Sequence, residues 1–473
     1  MKREMNSKSK EVLKTIVLVV LIITSLLQVG ILWTYQSHGF PTNFLSVFFP
    51  KGSNTPQEMD ELAREEYFRP FRIVAYRDED SRVLLDSGNV YYDDIWNEGQ
   101  EYIKQALYNQ NLIPLPYSYW NELITRRCFV IEFKSPMPSD LIRWFLNIQT
   151  NEDPKVENIY KILIAPGDSG NKNYNTVYIR GSRTLHKMIV PFWSQGLLWS
   201  GYENAFNSLK DNKTNIYNPF YVTGFTFDIP ADTLCVIGSE ANQQKRFNTL
   251  RYSIPDEIAD NDLLTRILLD NKKESYDRTE DLQGTVIFQN LRNIYKIYSH
   301  GLLEHRYIPA TPNSDKGTIS EAFIQVHRFI RDIKDVLLPN SSIFIYSAED
   351  AGNRYKFELG YIANGKPIYI QTENGAENAI VITANSKRVL SCKWILRDVQ
   401  LERMINAYDM NFISLANRLV DTYGNVIPEL SIKDIMEGYL LKPDKNNNIE
   451  PVWLIDTSNR GVYSVPMERG EGF

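Results

Sequence analysis

The chain has 473 residues, 43% apolar and 23% charged, an ordinary globular composition with room for two to four domains at roughly 100–200 residues each. Its 28 Tyr, 22 Phe and 8 Trp exclude a disordered chain, because such side chains require a packed interior. The formal charge is −6, but Lys2, Arg3, Lys8, Lys10 and Lys14 against Glu4 and Glu11 make residues 1–14 locally +3; the −9 left for the rest argues against nucleic acid as a partner.

Residues 15–35 carry no charge, and at 1.5 Å per residue they match the ~30 Å core of a bilayer. Basic residues crowd the N-terminal side of this run, so the positive-inside rule makes residues 1–14 a cytoplasmic stub, 15–35 a single transmembrane helix and the bulk of the chain extracellular. The run is too long for the ~7–15-residue core of a signal peptide, and no small-residue cleavage site or lipobox cysteine follows it. The helix is therefore expected to remain in the mature protein. Within it Thr24 and Gln28 lie on one face, with Ser25 beside them. Polar side chains at that depth gain roughly 0.6–2 kcal/mol each from a neighbouring helix, which makes these three the candidate partner-helix contacts. The alternative for Gln28 is a bond to its own backbone or snorkelling.

Residues 36–62, with Gly39, Pro41, Pro50, Gly52 and Pro56, read as a linker. Beyond it the pattern predicts α+β domains over 63–200, 201–315 and 316–473. In the first, residues 71–76, 87–92 and 127–133 read as strands and 96–109 as a helix. Strands follow at 157–165 and 175–180, then an aromatic turn at Phe192 and Trp193 and a helix over 202–210. The central domain ends in an antiparallel meander, 285–289, 294–298 and 302–307, with Gly301 in a turn. Ile319, Ala322, Phe323, Val326, Ile330 and Ile333 then recur at spacings of three and four, which predicts a long helix with one face against a sheet. Strands are expected at 342–346, 355–361, 366–371, 379–384 and 389–397, with a hairpin turn at Asn364-Gly365, followed by a helix at 413–423. A shorter recurrence, 435–441 with strands 451–456 and 461–466, ends the chain.

Residues that suggest chemistry fail on context. Gly167-Asp168-Ser169-Gly170 resembles a serine-protease nucleophile loop, but the only histidine upstream is His38 in the linker. Gly360 to Lys366 has P-loop spacing, yet Pro367 stands where the magnesium-binding hydroxyl belongs and a strand follows. His300, Glu304 and His305 offer metal ligands, but strand alternation sends Glu304 and His305 to opposite faces. The acidic pairs Asp93-Asp94 and Glu349-Asp350 read as solvated turns. Cys128, Cys235 and Cys392 lie more than a hundred residues apart and fit neither a disulfide scaffold nor a zinc site; so few cysteines outside the membrane suit a Gram-positive surface. No enzyme signature, metal site or cofactor site is expected.

Four stretches carry a family resemblance: KTIVLVVLIITSLLQVGILWTY at 14–35, LRNIYKIYSHGLLEHRY at 291–307, YKFELGYIANGKPIYI at 355–370 and EPVWLI at 450–455. With the overall plan they make the chain resemble the YycH family, membrane-anchored regulators of the YycFG (WalRK) two-component system of cell-wall metabolism. The resemblance implies a three-domain α+β ectodomain whose last part is similar to the partner protein YycI. It also implies a membrane helix that contacts YycI and the YycG/WalK-type sensor histidine kinase. The expected function is non-enzymatic control of that kinase through transmembrane and ectodomain contacts, with room for an unknown extracellular ligand. An anchored extracytoplasmic binding or assembly factor is the alternative, and a surface enzyme of wall metabolism a third reading.

Overall fold

The computed structural model describes residues 56–473 except 78–80, 86–88, 109–111, 149–152, 167–173, 192–198, 210–215, 218–228, 235–243, 260–267, 269–275, 310–315, 374, 424–430, 443–447, 459–460 and 471–473. The expected membrane helix with Thr24, Ser25 and Gln28 lies outside the described residues, as do Gly167 to Gly170, Cys235 and the aromatic turn at Phe192. No helix among the described residues is long and apolar enough to cross a membrane. Residues 62–473 form one unit, to which the remaining description applies.

The expected mixed α+β class with antiparallel sheets is observed. Helix α1 (Pro56–Tyr67) leads into β1 (Arg72–Tyr76) and β2 (Arg82–Leu85), then α2 (Tyr92–Tyr108), β3 (Ile113–Leu115), β4 (Cys128–Pro138) and α3 (Ser139–Phe145). Strands β5 (Asn158–Pro166), β6 (Tyr174–Arg180) and β7 (Leu185–Pro191), helix α4 (Trp199–Ser208) and β8 (Ile216–Tyr217) complete the first sheet, ordered β3-β7-β6-β5-β4-β1-β2-β8. Its central strands read as apolar runs because both faces are covered. Ile73, Phe129, Ile131 and Ile162 pack with residues of α2, α3 and α4, while Val74, Val130, Leu163 and Tyr178 belong to a second core with Trp120 and Leu123.

One expected strand is corrected. Of the expected strand 87–92, the described residues 89–92 are not a strand: β2 ends at Leu85, and Tyr92 already begins α2. The Asn89 side chain accepts the Tyr91 N–H at 2.9 Å and its carbonyl accepts the Tyr92 N–H at 3.0 Å, turning the chain into the helix. Asp93 and Asp94 then occupy the first turn, where the positive end of the helix favours carboxylates.

A second sheet of thirteen strands begins with β10 (Asp277–Glu280), β11 (Val286–Gln289), β12 (Asn293–Ile297) and β13 (Leu302–Tyr307). This is the expected meander, and Gly301 turns it with φ +84°. The chain first passes β9 (Gln244–Ser253), which belongs elsewhere. Helix α5 (Ile319–Leu337) is closed at its start by a capping box, the Thr318 hydroxyl accepting the Glu321 N–H at 3.2 Å and the Glu321 carboxylate accepting the Thr318 N–H at 2.9 Å. All six residues of the expected apolar stripe are buried. Strands β14 (Ser342–Asp350), β15 (Tyr355–Ala363), β16 (Lys366–Thr372), β17 (Gly375–Glu377), β18 (Ile380–Ala384) and β19 (Val389–Ile395) follow, and β13 pairs with β19, so the sheet draws on both sides of α5. The turn from β15 to β16 holds Asn364 at φ 48° and Gly365 at φ 71°, the left-handed pair of a two-residue hairpin and not a phosphate loop.

The last part contributes β20 (Asp398–Asp409), α6 (Phe412–Tyr423), β21 (Ile432–Leu441), β22 (Asn448–Ile449), β23 (Pro451–Thr457), β24 (Gly461–Pro466) and β25 (Glu468–Arg469). A four-stranded sheet runs β22-β9-β20-β25. Strands β16, β17, β24, β23 and β21 pair in succession, and β21 returns to β16 in parallel, closing a ring of five.

His327 lies on the buried face of α5, 3% exposed, edge-on to Tyr67 at 5.6 Å with neither ring nitrogen hydrogen-bonded among the described residues. Burial pushes its pKa from 6.5 down to about 4; Glu66 and Asp335 oppose that shift, and Arg331 and Lys334 reinforce it. The unfolded chain therefore binds a proton between pH 6.5 and 4 that the folded one does not, so stability is lost as the pH is lowered through that window. On acidification from pH 7 to pH 5, urea titrations are expected to show a loss of about 2 kcal/mol through this residue, absent in His327→Phe.

Candidate functional site

The most unusual constellation is a row of charge laid across the first sheet. Register places Arg72 opposite Glu132, Glu132 opposite Lys161, and Lys161 opposite Arg180, on four adjacent strands. Alternation puts all four on the face of Val74 and Val130, away from α2 to α4. Like charges at Lys161 and Arg180 would repel, but Asp232, from a separate loop, reaches between them. Its Oδ2 accepts from Lys161 at 2.7 Å, Arg180 at 2.9 Å and the Trp120 indole at 3.1 Å. At the other end Arg72 hydrogen-bonds Glu132 and grips Asp434 of β21 through both terminal nitrogens, at 3.1 and 3.2 Å. The order Asp434, Arg72, Glu132, Lys161, Asp232, Arg180 alternates sign and sums to zero.

Arg72, Glu132, Lys161 and Asp232 are each less than 9% exposed. Burial alone would protonate Glu132 and Asp232, yet Arg72 and Lys161 hold the first below the usual carboxylate range, and Lys161 and Arg180 the second. Lys161, which burial would neutralise, is kept charged by Asp232 and Glu132. Carboxylates locked in this way have no proton to donate and no free face for a substrate. The row is suited to joining elements, not to acid–base chemistry.

Further ion pairs lie beside this joint, and the first of them crosses it. Lys134 reaches Asp456 of β23 at 2.6 Å, and Lys245 of β9 and Lys366 of β16 converge on Glu437 of β21 at 3.0 and 2.7 Å. The Ser135 hydroxyl donates to the Tyr346 carbonyl at 2.6 Å, and Phe71 meets Phe344 at 6.0 Å. The space beside Arg72, Lys366 and Glu437 is about 40 Å³, enough for little more than a water. Two larger clefts share Gln371 and Lys442: one of about 1060 Å³ where the five-stranded ring meets β9, and one of about 650 Å³ where β16 and β17 meet β13 and β19. Their size suits a small ligand.

The residues singled out for chemistry are placed apart. His305 stacks on Tyr295 at 4.4 Å and bonds Asn293 at 3.2 Å, whereas Glu304 faces the other way and accepts from the Tyr298 hydroxyl at 2.9 Å. No cluster of three His, Cys, Asp or Glu suited to a metal occurs among the described residues. Cys392 is buried with its thiol pushed well above the ordinary range by that burial, so it is an inert core residue. Asp350 pairs with Lys316 at 2.5 Å. Sequence reading passed over the charge row, whose signal is a charged residue set in an apolar strand, as in Arg72-Ile-Val-Ala-Tyr and Tyr160-Lys161-Ile-Leu-Ile.

Residues 11–189 match the family described as YycH protein, N-terminal domain. No curated protein matches the sequence. The fold is similar to that of the crystal structure of YycH from Bacillus subtilis, with a TM-score of 0.56 and 14% identity over 87% of this chain and 98% of that one. Residues 11–189 thus match a YycH N-terminal domain, and most of the chain shares the fold of YycH.

Proposed function

We propose that the chain is a single-pass membrane protein with a cytoplasmic N-terminus and an extracellular bulk. It regulates a YycG/WalK-type sensor histidine kinase of the YycFG system, together with a YycI-like protein and without catalysis of its own. The observation that carries this reading is the family match over residues 11–189, a range that includes the uncharged run 15–35. A regulator of this kind works by binding one arrangement of the kinase helices more tightly than the other, and only that difference in affinity shifts the kinase. Thr24, Ser25 and Gln28 supply hydrogen-bonding groups for such a helix contact.

Crosslinking in cells from a photoreactive residue at position 28, read by mass spectrometry, is expected to capture the sensor kinase or the YycI-like protein. Gln28→Leu is expected to weaken kinase control while leaving the melting temperature of the protein unchanged. An inserted helix that captures neither partner, or normal signalling from the leucine variant, would remove the intramembrane mechanism.

A further inference from the structure

A pocket of about 310 Å³ opens where β12, β13, α5 and the turn between β18 and β19 meet. In a protein of net charge −6 its lining is basic: Arg292, Arg328, Lys387 and Arg388, with Asp332 the one carboxylate among the described lining residues. Asp332 is engaged by Arg331 at 3.3 Å. Grouping like charges around a concavity raises their mutual repulsion, a cost that an anion would remove.

The cations are held by local structure. The Asn290 side chain accepts from the backbone N–H of Arg292 at 2.8 Å and of Asn293 at 2.7 Å, fixing the turn that carries Arg292. The buried Asn385 side chain does the same for Lys387 and Arg388, both at 3.0 Å. The Arg388 guanidinium lies 4.6 Å above the Tyr307 ring, which leaves its in-plane N–H groups for an acceptor. Arg328 has its Nε buried with no hydrogen-bond acceptor among the described residues. His305, stacked on Tyr295 and 5.7 Å from Phe329, forms an aromatic wall.

We propose that this pocket binds a phosphate monoester. Guanidinium groups from three separate elements match the several oxygens and the roughly −1.5 to −2 charge of a monoester at pH 7 better than a single carboxylate or a singly charged diester. The volume leaves room for a small polyol or sugar beside the phosphate, against the aromatic wall. This site is independent of the membrane-helix mechanism, and its test reads binding alone.

Full-length protein in detergent is titrated by calorimetry with inorganic phosphate, glycerol 3-phosphate, glycerophosphoglycerol and glutarate. Saturable binding of the first two is expected, about tenfold or more tighter than the diester or the dicarboxylate, and weakening with salt. Arg328→Ala/Arg388→Ala is expected to lose about tenfold or more in affinity, and exposed Arg246→Ala on β9 to lose nothing. Arg292→Glu, on an exposed turn whose fold rests on Asn290, gives the same reading should the double variant fail to fold. Absence of saturable phosphate binding, or affinity unchanged in Arg292→Glu, overturns the proposal. A diester that binds as tightly as the monoester overturns the assigned class.

Discussion

Glu132→Ala is expected to cost about 3–5 kcal/mol, read as a fall in the urea midpoint of unfolding followed by tryptophan fluorescence. The carboxylate stands between Arg72 and Lys161 with 2% of its surface exposed, so its removal leaves two buried cations sharing what remains. Lys161 keeps Asp232 and Arg72 keeps Asp434, but the row changes from neutral to +1 in a medium that solvates charge poorly. Glu132→Gln keeps the shape and one acceptor and is expected to cost about half as much. Glu132→Met/Lys161→Met, which removes both partners, is expected to be less damaging than the alanine variant alone, because no charge is stranded. If both single variants melt within about 0.5 kcal/mol of the parent, water reaches the row and it is not the joint described.

The elements were largely legible in the sequence, and the site was not, for a physical reason that particular residues illustrate. Ile319 to Ile333 announce α5 because a helix on a sheet must show a stripe every three to four residues, and Asn364-Gly365 announces its turn because few residue pairs accept two left-handed conformations. These are local rules. The strand Leu401 belongs to is different: β20 runs unbroken from Asp398 to Asp409 and pairs with β9 around an irregularity between Leu401 and Ile405. Its run of Glu402 and Arg403 between apolar residues hid it, because pairing partners some 150 residues away, not local pattern, make it a strand. The charge row is non-local in the same way. That Arg72 sits opposite Glu132 depends on register, and that Asp434 closes the row depends on a contact 362 residues distant. Taken one at a time, the charges in the apolar strands and the loop residue Asp232 do not name their partners.

Phe323→Ala is expected to cost about 3–5 kcal/mol, since a fully buried phenyl is lost from a place where several rigid elements meet. Its ring lies 5.3 Å from Tyr67 of α1, 5.9 Å from Trp144 and 5.4 Å from Phe145 of α3, and 5.5 Å from Phe357 of β15. Helix α5 is thus held on one side by the helices of the first sheet and on the other by the second sheet, and Phe323 touches both. Phe323→Leu, which retains most of the volume, is expected to cost about 1–2 kcal/mol, and the half-buried Phe329→Ala on the same helix less than Phe323→Ala. The shape of the transition carries as much as its midpoint. Cores that share a helix unfold together, so one transition with an unchanged denaturant slope is expected for Phe323→Ala. Two transitions would mean that the aromatic contacts of α5 alone hold the sheets to a common melting, and that the ion pairs of Arg72 and Lys134 do not suffice to join them.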